Sequence, residues 1–473
     1  MCILSLIFRK NMKTHHSPPM LRGRLPLLGH VLSFQKDRAS LLRKGYEQHG
    51  PIFSIQLFNK KAVVLASPTL HRAFFMQTDK SLSISKPYTF LKPVVGEVMF
   101  VAGPEQYNRE RPVFYEPFKR DKMKRYLPIM QAEIQKWLDN LDDAGKFEVG
   151  KAMRHLTQQI AAATFMGLEF QHSVGQEFWD QYEYLSLALD PILPPKLPLP
   201  KFRRRDRARQ KMGEILKPVI QKRLEQPEAY DDLLQDLINK AYALDLGSEE
   251  YILNLIIGLM FAGHETTAGQ AAWTVIQLLQ HPDYRQKVQT EVDRNLPWDR
   301  EFVAQDLQAL PHTQWAVDES GRMHPSADVL FRTVEEDLEL EGYHIPAGQL
   351  LIVSPGLSQM LGDIFPEPER YDPERHDPAN YPKGKLPSYQ LIGFGGGRHL
   401  CAGKSFAIQE MMLIAAMLLQ QLEMELLPPE PKAVATGGSN WLSPAWVRYR
   451  KREQPKTQAE ASEKQAECPH HQA

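Results

Sequence analysis

The order of apolar and polar positions separates the chain into elements of different period. Lys36 to His49 carries apolar residues at helical spacing, whereas Pro51 to Phe58 and Lys61 to Ala66 alternate as two strands with Asn59-Lys60 as their turn. Leu127 to Lys222 is mostly helical, broken at Pro191 to Pro200, where five prolines forbid a continuous helix. The longest helical pattern opens at Ser248-Glu249-Glu250, a cap followed by first-turn acids, and runs to His281-Pro282. It spans roughly 33 residues, or about 50 Å. Leu255 to Gly263 is apolar on all sides, so this helix should pass through the interior. Directly after it, Ala262-Gly263-His264-Glu265-Thr266-Thr267 places a glycine, an acid and two hydroxyls mid-helix, at a cost in stability. Threonines bonding back to their own helix would account for the hydroxyls without any function.

Composition narrows the field. Lys+Arg and Asp+Glu both number 57, so net charge gives no reason to expect nucleic acid or a polyacidic partner. The 473 residues contain no internal repeat and no Gly/Ser linker, which favours one large domain, residues 20–450. Three cysteines, Cys2, Cys401 and Cys468, are too few and too scattered for a disulfide framework and suit a reducing, cytoplasmic setting, peripheral to a membrane or free of it. The apolar run Cys2 to Phe8 is too short to span a bilayer, which needs roughly 20 residues, so no transmembrane anchor is expected and residues 1–19 read as a flexible lead. Residues 451–473 read as a disordered tail, whose Cys468-Pro-His-His fits solvated residues better than a metal site.

The remaining cysteine sits in the densest motif. Phe394-Gly-Gly-Gly-Arg-His-Leu-Cys401-Ala-Gly403-Lys-Ser-Phe is a glycine-rich loop running into a helical pattern that reaches about Leu422. Glycines permit close approach to a large flat object, and N–H groups with a helix start favour a thiolate. One cysteine without paired ligands is a poor zinc site and suits one axial bond to haem iron; a buried structural cysteine is the plain alternative. The spacing of Phe394, Gly397 and Gly403 about Cys401 resembles the haem loop of the cytochromes P450. That resemblance implies the P450 fold, mainly α with a smaller β-rich region, and haem b between the long helix and the helix after Cys401.

The resemblance extends from about Met20 to Arg450 and assigns further residues. Glu265-Thr266 matches the oxygen-activation motif, with Thr266 positioning oxygen and an ordered water and Glu265 relaying protons. Glu319-Ser-Gly-Arg322 and Tyr371-Asp-Pro-Glu-Arg375 match the elements that form a buried Glu319, Arg322, Arg375 network beneath the haem. Tyr107 and Arg111, four apart on one helix face, match a propionate-binding pair, and Arg332 another propionate partner; alone, the pair would read as a solvated face. Arg398 and His399 stand before the cysteine as in sterol 14α-demethylases, whose loop also resembles this one at Tyr88, Pro93 and Gly96, although their oxygen motif has His where Glu265 stands. The Tyr88 to Met99 stretch is a loop folded on the core or a substrate wall, with Tyr88, Phe90, Met99 and Ala262 as pocket candidates. Lys119, Arg120, Lys122, Lys124 and Arg125 are a solvated cluster or, by resemblance, a dock for an acidic ferredoxin or flavodoxin. The expected activity is O2-dependent oxidation of an apolar substrate, sterol-, terpenoid- or fatty-acid-like, by hydroxylation or oxidative demethylation. A peroxide-driven peroxygenase or isomerase, and a haem-binding sensor without turnover, remain alternatives.

Overall fold

The computed structural model describes residues 16–167, 169–170, 175–190, 193–298, 300–436 and 439–453. Its axis is the long helix, Glu249–Gln280, where the Ser248 hydroxyl accepts from the Tyr251 N–H at 3.1 Å and closes the N-terminus. Leu255, Ile256 and Ile257 are at most 1 % exposed on three successive faces, so helices must surround this stretch. They are Val149–Ala161, Pro200–Glu225, Pro311–Met323 and Lys404–Gln421, and their apolar faces join one large core.

The β-rich side is a five-stranded sheet in the order Ile52–Leu57, Lys60–Leu65, Leu350–Val353, Leu330–Val334, Leu82–Ser83, with one parallel pair, Lys60–Leu65 with Leu350–Val353. Two smaller apolar clusters cover its faces. A second sheet orders Ala144–Glu148, Trp446–Lys451 and Leu422–Leu427, tying the chain's end to its middle. Among the described residues no helix is long and apolar enough to cross a membrane.

Several boundaries differ from the sequence reading. Asp37 ends a short helix, Val31–Lys36, and caps the next, Arg38–His49, by accepting from Ser40 N, so the helix expected over 36–49 begins two residues later than expected, after a short helix that the sequence reading did not mark. The hairpin turn is Phe58-Asn59, because Leu57 pairs with Lys60 and Phe58 takes φ +53°. The leading segment is less free than expected: the Ser54 N–H donates to Pro19 O at 2.7 Å, and the His344 N–H to His16 O at 3.0 Å. Likewise Lys451 N donates to Asp143 O and Arg452 N to Gln421 O, so 451–452 belong to the fold, not to a tail. The runs at Cys2 to Phe8 and Cys468 to His471, and the tail past 453, lie outside the described residues.

The proline break stands between helices Gly175–Leu187 and Pro200–Glu225, with its Pro191 outside the described residues. The Tyr88 to Met99 stretch forms short turns, Thr89–Leu91 and Lys92–Val95, that bury Val94, Val95, Val98 and Met99 against the long helix. Gly96 makes that contact possible. It holds φ +74°, and a Cβ there would stand 2.4 Å from the Asn254 side chain.

Candidate active site

A cavity of about 450 Å³ opens between the middle of the long helix and the Cys401 loop. Ala262 and Thr266 face it from the helix, and Phe394, Gly395, His399, Cys401 and Gly403 from the loop. Apolar side chains complete the walls, among them Met99, Phe100, Phe114, Leu259 and Leu330, with Tyr88 and Tyr107 beside them. Residues separated by about 130 to 140 positions are thus brought together because the long helix and the loop are fixed to the same supports.

The loop is held tightly. Cys401 N donates to Phe394 O at 3.0 Å, which closes the turn on itself. From the helix Pro104–Tyr115, Tyr107 Oη donates to Arg398 O at 2.9 Å and Tyr115 Oη to Leu400 O at 2.8 Å. Gly397 has φ +62°, and a Cβ there would stand 2.9 Å from the Phe75 carbonyl oxygen, so only glycine lets the loop lie this close to the helix Pro68–Gln77.

Cys401 presents its accessible surface to the cavity. Burial within those walls pushes the thiol up, against the Gly403 N–H and the Lys404 ammonium, which favour the thiolate. The loop donors thus work against burial at Cys401, and bonding to a metal cation would add to the charge compensation that favours the thiolate. Among the described residues no group of three or more His, Cys, Asp or Glu is placed to hold a metal ion, so Cys401 fits a single axial bond and not a multidentate protein site.

Glu319, Arg322 and Arg375 come together behind the loop. Arg322 Nε and Nη2 each reach a Glu319 oxygen at 2.8 Å, with both side chains fully buried, and Arg375 Nε reaches Oε1 at 3.0 Å. His376 Nε2 adds a contact at 2.8 Å and Asp372 N one at 3.0 Å. Burial alone would raise the Glu319 carboxyl, but the Arg322 and His376 donors outweigh it and hold it at about 2.

Gln359, which no sequence motif marked, connects this network to the loop. Its Nε2 donates to the carbonyls of Gly321 and Arg322, while its Oε1 accepts from Ile392 N at 2.9 Å and Gly393 N at 3.1 Å, immediately before Phe394.

The other expected residues divide between the wall and its surroundings. Arg111 stacks over Tyr115, 4.5 Å from the ring centroid, and is not on the cavity wall. Arg398 also lies off the wall, exposed over Tyr107, while His399 faces the cavity with Nε2 2.7 Å from Asp79 Oδ2. Arg332 is on the wall, its Nε donating to Thr78 Oγ1 at 3.0 Å. Phe90 packs on Tyr88 outside the wall.

Glu265 turns from the cavity toward Arg154 at 3.4 Å, because successive helix residues point about 100° apart. Thr266 Oγ1 donates to Ala262 O at 2.8 Å, the back-bond that needs no function, yet the side chain stays open to the cavity. Of the basic cluster, Lys119 and Lys122 pair with Glu116, and Lys122 and Arg125 with Asp236, while Arg120 and Lys124 stand exposed and, among the described residues, form no such pair.

A flat cofactor held on one side by a single sulfur fits this arrangement, and the comparisons with known proteins agree. The profile of the family described as Cytochrome P450 matches residues 18–442. The sterol 14alpha-demethylase of Mycolicibacterium vanbaalenii is 30 % identical over 437 residues, 90 % of this chain and 96 % of that protein. A sterol 14-demethylase of Arabidopsis thaliana is 28 % identical over 464 residues, covering 94 % of each. The solved structure of retinoic-acid-bound cyanobacterial CYP120A1 superposes with a TM-score of 0.82 at 27 % identity, covering 93 % of this chain and all of that one.

The chain belongs to the cytochrome P450 family. It is an oxidoreductase, a haem-dependent monooxygenase whose reaction takes O2 and electrons from a redox partner.

Proposed function

We propose that Cys401 provides the thiolate to the haem iron and that the protein oxidises an extended, apolar small molecule of the sterol, terpenoid or fatty-acid kind. The observation that carries this reading is the cavity itself: the one thiol on its wall faces Thr266 and Ala262 across a space lined by aliphatic and aromatic side chains. The named substrates of its relatives, sterols, and the retinoic acid of the structural neighbour are of that kind.

Bound there, haem supplies oxygen activation, with the thiolate pushing electron density toward O–O cleavage. The chain's own groups position substrate and manage protons. Tyr107, Arg332 and His399 on the wall, with Phe394 and Gly403 beside the sulfur, hold the cofactor. Because Thr266 Oγ1 commits its proton to Ala262 O, its lone pairs are what it offers the cavity, so it holds a proton donor in place. Glu265 carries protons from the Arg154 side of the helix. Apolar walls exclude stray water and orient the substrate by shape. A ferredoxin or flavodoxin-type donor docks at the exposed Arg120 and Lys124.

The test titrates the haem-loaded protein with a sterol, a retinoid and a long-chain fatty acid, following the low- to high-spin change, and then measures product with O2 and a ferredoxin-reductase system. A spin change and oxidised product with at least one of these are expected. Failure of all three, with turnover of a compact polar compound instead, would reject the apolar substrate.

A further inference from the structure

The long helix gives Thr266 to the cavity and Glu265 to its far flank, so any proton held by Glu265 is governed by what packs on that flank. His264 is fully buried there, with the rings of Trp179 and Tyr182 at 5.6 and 5.5 Å between centroids. Its Nε2 lies 3.2 Å from the Arg154 carbonyl oxygen. A carbonyl only accepts, so Nε2 carries the hydrogen and Nδ1 is a bare acceptor. That Nδ1 is buried without a hydrogen-bond partner and stands 3.8 Å from Glu265 Oε1.

An ionised carboxylate offers this atom nothing, since both are acceptors. A protonated carboxyl offers an O–H. On the other side, Arg154 Nε and Nη2 each stand 3.4 Å from the carboxylate, and the Arg154 side chain is 40 % exposed, which links Glu265 to solvent. We propose that His264 is a positioning residue that receives the protonated Glu265 side chain: the ionised carboxylate rests against Arg154, and after taking a proton from the solvent side the carboxyl turns its O–H onto His264 Nδ1.

The proton stays on Glu265 in this pose, and its later release restores the carboxylate to Arg154. The inference rests on the reading of Glu265 as the proton carrier. The groups that bear on Glu265 are Arg154 from the helix Val149–Ala161, Tyr182 and Glu183 from the helix Gly175–Leu187, and His264 on its own helix. Burial pushes the Glu265 carboxyl up, Arg154 draws it down and Glu183 adds a push up. Burial also holds His264 at about 3, so it stays a neutral acceptor.

The test follows the carboxylic-acid carbonyl band of Glu265 in difference infrared spectra of the resting haem protein across pH, assigned by its loss in Glu265→Gln. His264→Phe keeps a ring between Trp179 and Tyr182 but has no acceptor, and should lower the band's titration midpoint by about one pH unit, a tenfold change in proton affinity. His264→Asn puts Oδ1 where Nδ1 stands and should restore the wild-type midpoint, which a merely structural role for the ring would not do. An unchanged midpoint in His264→Phe, or an equal shift in both variants, overturns the inference. Should His264→Phe fail to fold, nitrogen NMR of histidine-labelled wild-type protein in its ferrous carbon monoxide form decides: a bare Nδ1 at His264 supports the proposal and an Nδ1–H overturns it. If the midpoint shifts as expected while product per electron keeps its pH dependence, the positioning stands and the proton-carrying role of Glu265 falls.

Discussion

Glu319→Gln tests whether the buried charge network holds the Cys401 loop. The substitution leaves Arg322, fully buried, and Arg375, nearly so, without their carboxylate, and it aims an amide NH2 at donors from Arg322, Arg375, His376 and Asp372 N. Two routes give its size. Depression of the carboxyl from its ordinary 4.5 to about 2 corresponds to about 3 kcal/mol of folding stability. Breaking a buried ion pair by removing one partner costs about 3–5 kcal/mol. The routes agree, so a loss of about 3 kcal/mol is expected at pH 7. Because the folded value lies below the unfolded one, this contribution is complete above about 4.5 and fades as the pH falls toward 2. Urea unfolding of both proteins should therefore show a constant deficit from pH 7 to 5 that narrows below 4.5. Since Gln359 joins the Arg322 carbonyl to Ile392 N and Gly393 N, the variant should also retain less haem, read as a smaller thiolate-type carbon monoxide band per protein. A deficit under about 1 kcal/mol at pH 7, the range of an exposed pair, would refute the reasoning, as would a normal haem content in a variant destabilised as calculated.

Thr266→Ala should keep haem and the substrate-induced spin change but lower product per electron about tenfold, or about 1.4 kcal/mol on the productive branch; peroxide-supported turnover should suffer much less, and unchanged coupling with a working reductase would favour a peroxide-user. His71, His264 and His324 are held by burial at about 4, 3 and 4, below their ordinary 6.5. The unfolded chain then binds more protons below 6.5, so stability should drop by about 2 kcal/mol per histidine as the pH is lowered from 7 to 5, and a flat unfolding profile over that range would contradict it. Gly96→Ala meets both φ +74° and the Asn254 side chain at 2.4 Å, which Arg209 holds in place. The Gly96 ψ of −163° puts this position in a region that essentially only glycine occupies, so the substitution should cost about 1–3 kcal/mol for the backbone and about 1–3 for the overlap and weaken substrate-induced spin change; wild-type stability would show that the loop simply yields.

What the sequence revealed about this protein follows from how local each signal is. The long helix was legible almost to the residue because its cap, its buried middle and its terminal proline are all encoded within one segment. The Cys401 loop was legible for the same reason: its glycines are spaced by the backbone conformations they must adopt, as Gly397 shows. Functions that depend on the direction of a side chain were less so. Glu265 and Thr266 are neighbours in sequence, yet a helix sends them to different flanks, so a motif names both and cannot say that only Thr266 reaches the cavity. Arg111 was grouped with Tyr107 by i,i+4 spacing, but Tyr115 offers its guanidinium a ring one further turn along. Gln359 and His264 carried no sequence signal because their roles arise from contacts 33 and 110 positions away. A buried glutamine reads as ordinary polarity until both ends of its amide are seen to bridge a helix end and a loop. A histidine flanked by glycine and glutamate reads as part of the oxygen motif until the Arg154 carbonyl fixes its hydrogen on Nε2. Motifs thus located side chains that line the cavity, whereas the groups that hold them in place are specified by packing between distant segments.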